Sequence, residues 1–125
     1  MKESKLLFII WFFISILTYA QKSNEYKFLS EGQYNSKIYE KLESKSENKV
    51  YIWHKIENTL ENDPSTEFTE YYLQIKCDSK TSVLKKLIIH WRDGSIEKHD
   101  DSSDKEVPID QKSILELSYQ NHCIK

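Results

Sequence analysis

The sequence has little glycine, proline or alanine. Its two glycines, Gly32 and Gly94, stand far apart, which excludes a Gly-rich phosphate-binding loop. Alanine occurs once, at Ala20, so a helix-dominated fold is not expected. Neither sign of charge dominates: 18 Lys and Arg face 20 Asp and Glu, a weakly acidic balance with no basic surplus to neutralise nucleic acid. Beyond residue 20 no run is apolar enough to span a membrane. The two cysteines lack the Cys-x-x-Cys spacing of redox enzymes, and no serine sits in a nucleophile elbow. At 125 residues the chain supports one small domain, not two.

What is present is unevenly distributed. Fourteen of the 48 hydrophobic residues lie in the first 20 positions. Lys2 and Lys5 precede LLFIIWFFISIL at Leu6–Leu17, and Thr18-Tyr19-Ala20 ends on a small residue. That is the order of a secretory signal peptide, and its apolar run is shorter than the roughly 20 residues of a transmembrane helix. Residues 1–20 are therefore predicted to be an export signal, with an uncleaved anchor as the alternative. Residues 21–125 are the mature domain, exported to periplasm, cell surface or exterior.

Export gives the cysteines meaning. An even count, Cys77 and Cys123, favours one disulfide in an oxidising compartment. A zinc pair or a reactive thiol is the alternative, although no other ligand is near except His122 beside Cys123.

The mature chain reads as short alternating runs. Tyr26–Leu29 is a first strand and Gly32–Asn35 a turn. Lys37–Lys41 is a second strand, followed by the wholly polar loop Glu43–Lys49. In Val50–Ile56, Val50, Ile52 and Ile56 share one face, with Tyr51, Trp53 and Lys55 on the other. Glu57–Thr66 is a loop around Asn62-Asp63-Pro64-Ser65. Glu67–Cys77 places Tyr71, Leu73, Ile75 and Cys77 together. Val83–Trp91 groups Val83, Leu87, Ile89 and Trp91 against Leu84, Ile88 and His90, as in a central strand. Asp93-Gly94 predicts a two-residue hairpin turn into Ser95–His99. After the polar stretch Asp100–Glu106, a helix is expected from about Gln111 to Asn121, capped by Asp110 or Ser113. Its apolar stripe would be Ile114, Leu117 and Asn121, widened by Leu115 and Tyr119, with Cys123 just beyond its end. The fold class is α+β, mainly β: an antiparallel meander of five to six strands with one C-terminal helix packed on a face.

Four segments, in order, carry a family resemblance: VYIWHKI at Val50–Ile56, YYLQIKC at Tyr71–Cys77, VLKKLIIHWRDGSIEK at Val83–Lys98, and Ile109 with SILELSYQNHC at Ser113–Cys123. They resemble the Trp-centred strand, the aromatic strand ending in a cysteine, the long strand with its turn and return, and the terminal helix of the bacterial surface-adhesin protein E-like domain. The resemblance covers residues 26–125. Gln111 stands where that family often has proline, and Tyr26 or Phe28 where it often has tryptophan. The resemblance implies an exported domain with an antiparallel sheet, a packed helix and a Cys77–Cys123 disulfide.

Candidate chemistry is sparse. His54 and His90 sit on strands and could face each other as a metal pair. Asp100, Asp101 and Asp104 could hold calcium, but their spacing matches no calcium loop. Glu67 and Glu70 read as surface carboxylates. Tyr51, Trp53 and Tyr72, with His90, could lie opposite Val50, Ile52 and Leu73, either as a binding surface or as a second side of the core. The expected role is a non-enzymatic, cofactor-free binding or adhesion module. Its partner would be a protein, including a second copy as a homodimer, and not nucleic acid. After signal cleavage no membrane span remains. The alternatives are a periplasmic accessory or inhibitor-like protein binding an envelope enzyme, and a small hydrolase or metal protein using His54 and His90.

Overall fold

The computed structural model describes residues 25–124. The predicted export signal lies outside the described residues. Seven antiparallel strands and one α-helix follow in chain order: β1 Lys27–Glu31, β2 Lys37–Lys45, β3 Lys49–Glu57, β4 Thr66–Lys76, β5 Thr81–Trp91, β6 Ile96–Asp100, β7 Glu106–Pro108 and α1 Ile114–Cys123, with a single 3-10 turn at Gln33–Asn35 between β1 and β2. Strands β1 to β6 form a meander, and β7 shares the outer edge of β5 with β6. Each connection is local, as antiparallel pairing permits. No helix among the described residues is long and apolar enough to cross a membrane.

The helix lies on one face of the sheet. Val50, Ile52, Leu73, Ile75 and Ile109 are buried beneath it, flanked by Tyr71, Cys77, Leu84, Leu115, Tyr119 and Cys123. Alternation along β3 sends Val50, Ile52 and His54 inward and leaves Tyr51, Trp53 and Lys55 half-buried on the opposite face, which is the period of two that a one-sided core requires. Cys77 and Cys123 form the disulfide, Cα–Cα 5.4 Å, tying the end of α1 to the end of β4.

Four local expectations are corrected. The polar stretch from Glu43 onward is not all loop, because β2 continues to Lys45 and pairs with Val50, leaving a turn at residues 46–48. Ladder hydrogen bonds need no apolar side chains, and residues Leu42 to Lys45 at this end of β2 are exposed. In β5, Leu84 pairs with Leu73 but Lys86 pairs with Tyr72, so Lys85 is an extra residue. This bulge reverses the facing of everything before it. Leu84 therefore joins Leu87 on the helix side, and Val83 turns to the opposite face beside Gln74.

The Asp93-Gly94 turn has a three-residue loop. Gly94 N–H donates to the Trp91 carbonyl and Trp91 N–H to the Ser95 carbonyl, and only Gly94 has positive φ, at 93°. A two-residue type I′ turn would need positive φ at Asp93 as well. Instead the Asp93 carboxylate accepts from Ser95 N–H at 2.8 Å, holding a type I turn that closes on a glycine bulge. Gly94→Ala meets nothing within 4 Å, so only backbone strain opposes it. The variant should lose about 1 kcal/mol, read as a small drop in urea midpoint at unchanged slope; an unchanged midpoint would contradict the strain argument.

The helix begins at Ile114, with Ser113 as its cap accepting from Glu116 N–H at 3.3 Å, and Cys123 is its last residue rather than one beyond it. Its inward stripe is Leu115, Ser118, Tyr119 and His122. Leu117 and Asn121 face solvent, against the stripe expected from hydrophobicity alone. A serine, Ser118, is the most buried residue of the helix, at 0 % exposure.

Candidate functional site

Two groups of polar and aromatic side chains stand out, one on each face of the sheet. Beneath the helix, Glu40 of β2 and His54 of β3 are register partners. Ser118 of α1 donates to Glu40 Oε2, His54 Nε2 lies 2.8 Å from Ser118 Oγ, and His122 Nε2 lies 2.5 Å from Glu40 Oε1. Burial pushes the Glu40 carboxyl up most strongly, but hydrogen bonds from His54, His122 and Ser118, with the attraction of His122, outweigh it and hold the group at about 2. A serine, two histidines and a carboxylate could suggest nucleophilic catalysis. Here Ser118 and His54 are sealed, at 0 % and 4 % exposure, and the serine proton is committed to Glu40. The cluster joins helix to sheet.

The helix leaves the opposite face uncovered, although Gln74 and Val83 at one end of it are buried. Seven of the eleven aromatics beyond residue 20 gather there: Tyr26, Phe28, Tyr39, Tyr51, Trp53, Phe68 and Tyr72. Trp53 and Tyr72, paired across β3 and β4, stack with centroids 4.7 Å apart, and Tyr51 stacks on Tyr72 at 6.2 Å. Gln74 Nε2 donates to the Tyr51 hydroxyl at 2.9 Å, and Trp53 Nε1 donates to Glu43 at 3.0 Å. Lysines thread between the rings. Lys41 Nζ is 4.9 Å from the Tyr26 ring centre and 5.7 Å from that of Trp53, and Lys55 Nζ is 5.2 Å from Tyr39 and 5.3 Å from Phe68. Their ammonium groups are attracted to the ring faces. Glu70 accepts from Tyr26 at 2.7 Å and bonds His90 at 2.8 Å, and His90 stacks on Phe68. Burial, then the bond to Glu70, raises the Tyr26 phenol well above its usual range. Tyr72 is raised by burial first, then by the charge of Glu43.

Searches against family models, curated proteins and solved structures return no match to this chain.

Tyr51, Trp53 and Tyr72 thus lie together on the uncovered face, with His90 further along it. His54 does not join His90: they point to opposite faces, and β4 separates their strands. Among the described residues no group of three His, Cys, Asp or Glu is arranged to hold a metal ion. Asp104 pairs with Lys85 of β5, while Asp101 accepts from Ser103 N–H at 2.9 Å within its own loop. Glu70, expected as an ordinary surface carboxylate, is the hub between Tyr26 and His90.

Sequence reasoning missed Glu40, Ser118, Lys41 and Lys86. A signal existed for the first: alternation in KIYEKL places Glu40 between Ile38 and Leu42, a charge on the apolar side of a strand. Lys86 was obscured by the bulge at Lys85, and nothing local marks Ser118.

Proposed function

We propose that this chain is an exported, non-enzymatic recognition module that binds a protein partner through the sheet face opposite its helix, with Tyr51, Trp53 and Tyr72 at the centre. The observation that carries this reading is that the helix covers the Val50, Ile52 and Leu73 side and leaves the aromatic side half-exposed. Large, rigid rings with polar edges bring contact area with little loss of side-chain entropy, which is why they anchor interfaces. The disulfide fits an oxidising compartment. The family resemblance supports adhesion as the broader role.

The test is site-specific photo-cross-linking in producing cells, from position Tyr51 on the uncovered face and from position Gln120 on the outer side of the helix. A discrete protein adduct should form from the first and not from the second. In folded, disulfide-bonded Trp53→Ala protein the adduct should fall about tenfold or more, as for a central anchor. Equal adducts from both positions, or none from the face, would sink the reading. Protease shaving of intact cells then assigns the compartment: a cleaved domain beside an intact periplasmic control supports surface adhesion, and full protection redirects the search to an envelope partner.

A further inference from the structure

Strand register puts four side chains of the uncovered face in one row across the sheet. Lys41 of β2 pairs with Trp53 of β3, Trp53 with Tyr72 of β4, and Tyr72 with Lys86 of β5. The two rings stack on each other, and a lysine closes each end, Lys41 Nζ 5.7 Å from the Trp53 ring centre and Lys86 Nζ 6.0 Å from that of Tyr72. With the faces of the rings used in this sandwich, their edges point outward, and edges are the positive part of an aromatic quadrupole.

The neighbouring acids already have partners, and one of them, Glu43, sits at the row itself on the Trp53 indole. Glu43 holds the Trp53 indole N–H, Glu70 holds Tyr26 and His90, and Glu57 pairs with Lys55. Lys86 is followed across the sheet by Asp100, yet no carboxylate lies within ion-pair distance of Lys41 or Lys86 among the described residues. In a weakly acidic chain this row offers two unpaired ammonium groups, ring edges and a phenol hydroxyl.

We infer that the row is a docking site for an acidic, extended peptide segment of the partner protein, lying across the strands with a carboxylate at each lysine. This rests on the recognition role proposed above and names the chemistry of what is recognised. Four strands at about 4.8 Å spacing place Lys41 and Lys86 roughly 14 Å apart. Carboxylates four residues apart on an extended chain, at about 3.3 Å per residue, are separated by a similar distance. The apolar body of the intervening segment would rest on the Trp53–Tyr72 edges.

A fluorescein-labelled peptide with glutamate at every fourth position and Gly, Ser and one Leu between tests this by fluorescence anisotropy on the disulfide-bonded mature domain. The expected result is saturable binding in low salt. It should weaken about fivefold when Gln replaces Glu in the peptide, and about fivefold in Lys41→Gln/Lys86→Gln protein. Lys45→Gln/Lys112→Gln protein, altered off the row, should bind as the parent does. Absence of binding, equal binding by the row and off-row variants, or row-dependent binding of a sulfated polysaccharide without the acidic peptide would overturn the inference. The cross-link from position 51 separates the two levels. An adduct that persists undiminished in Lys41→Gln/Lys86→Gln cells overturns the acidic segment and leaves the recognition face standing; loss of every face adduct in the parent protein overturns both.

Discussion

Replacing Cys77 and Cys123 together with serine is expected to lower the melting temperature by roughly 15–30 °C. The bridge closes a loop spanning 46 positions. Restricting that loop in the unfolded chain contributes about 4 kcal/mol on a chain-entropy estimate, and each kcal/mol moves a domain of this size by about 4–8 °C. The core makes the loss serious: five apolar side chains are buried in its main cluster, all on one side of a single sheet. Cys123 is also the last residue of α1 and packs against that cluster, so freeing it loosens the helix that covers Ile52 and Ile75. Thermal unfolding followed by circular dichroism, with the oxidised parent beside the double variant, checks this. A decrease below about 5 °C would show that the helix is held by its other contacts.

The second large effect concerns Glu40. Its folded value of about 2 lies below the 4.5 of an unconstrained glutamate. The sign follows from proton linkage: at pH between these values the unfolded chain binds the proton more readily than the folded one, so stability rises with pH there. The contribution of Glu40 is therefore fully present above about pH 5 and is lost progressively as pH falls toward 2. Its size is on the order of 3 kcal/mol, since the difference is about 2.5 units and each unit corresponds to about 1.4 kcal/mol. The side chain is 12 % exposed, so solvent screens it little. Glu40→Gln should lose about that much stability at pH 7. It should also show a flatter decline between pH 5 and 3 than the parent. Asp63, Asp93, Asp101, Glu106 and Glu116 are also lowered, through surface hydrogen bonds and ion pairs. They remain in both proteins, so the difference between the two urea-denaturation series isolates Glu40. Parallel curves would show that the cluster beneath the helix does not depend on this carboxylate's charge.

This cluster explains the choice of a serine at the centre of the helix. A leucine at position 118 would suit a helix judged by hydrophobicity, and would leave Glu40 and His54 without the hydroxyl they share. Buried polar groups without partners cost about 1–3 kcal/mol each, so the helix presents Ser118 and His122 where the sheet presents Glu40 and His54. The apolar stripe consequently narrows to Leu115 and Tyr119, and Leu117, which sequence reasoning placed inward, is 42 % exposed.

The sequence by itself determined the alternating runs of β3, β4 and β5 and the faces of β3, though not β7 or the end of β2. Strict alternation in VYIWHKI separates Val50 and Ile52 from Tyr51 and Trp53 because successive strand side chains point to opposite sides. Gly94 marks a reversal because a hairpin there needs positive φ, which glycine adopts without strain. With two cysteines, a single intramolecular pairing was possible. Only the tertiary structure decided which sheet face the helix covers, where the strand register slips, and how the lysines fall in line with the rings. Those outcomes depend on contacts between residues far apart in the chain. Ser118 meets Glu40 across 78 positions and His122 meets it across 82. The extra residue at Lys85 becomes visible only when β5 is laid against β4. Periodicity within a strand reports side chains relative to their own backbone; a bulge changes that relation between strands, and so moved Val83 and Leu84 to opposite faces and brought Lys86 level with Tyr72.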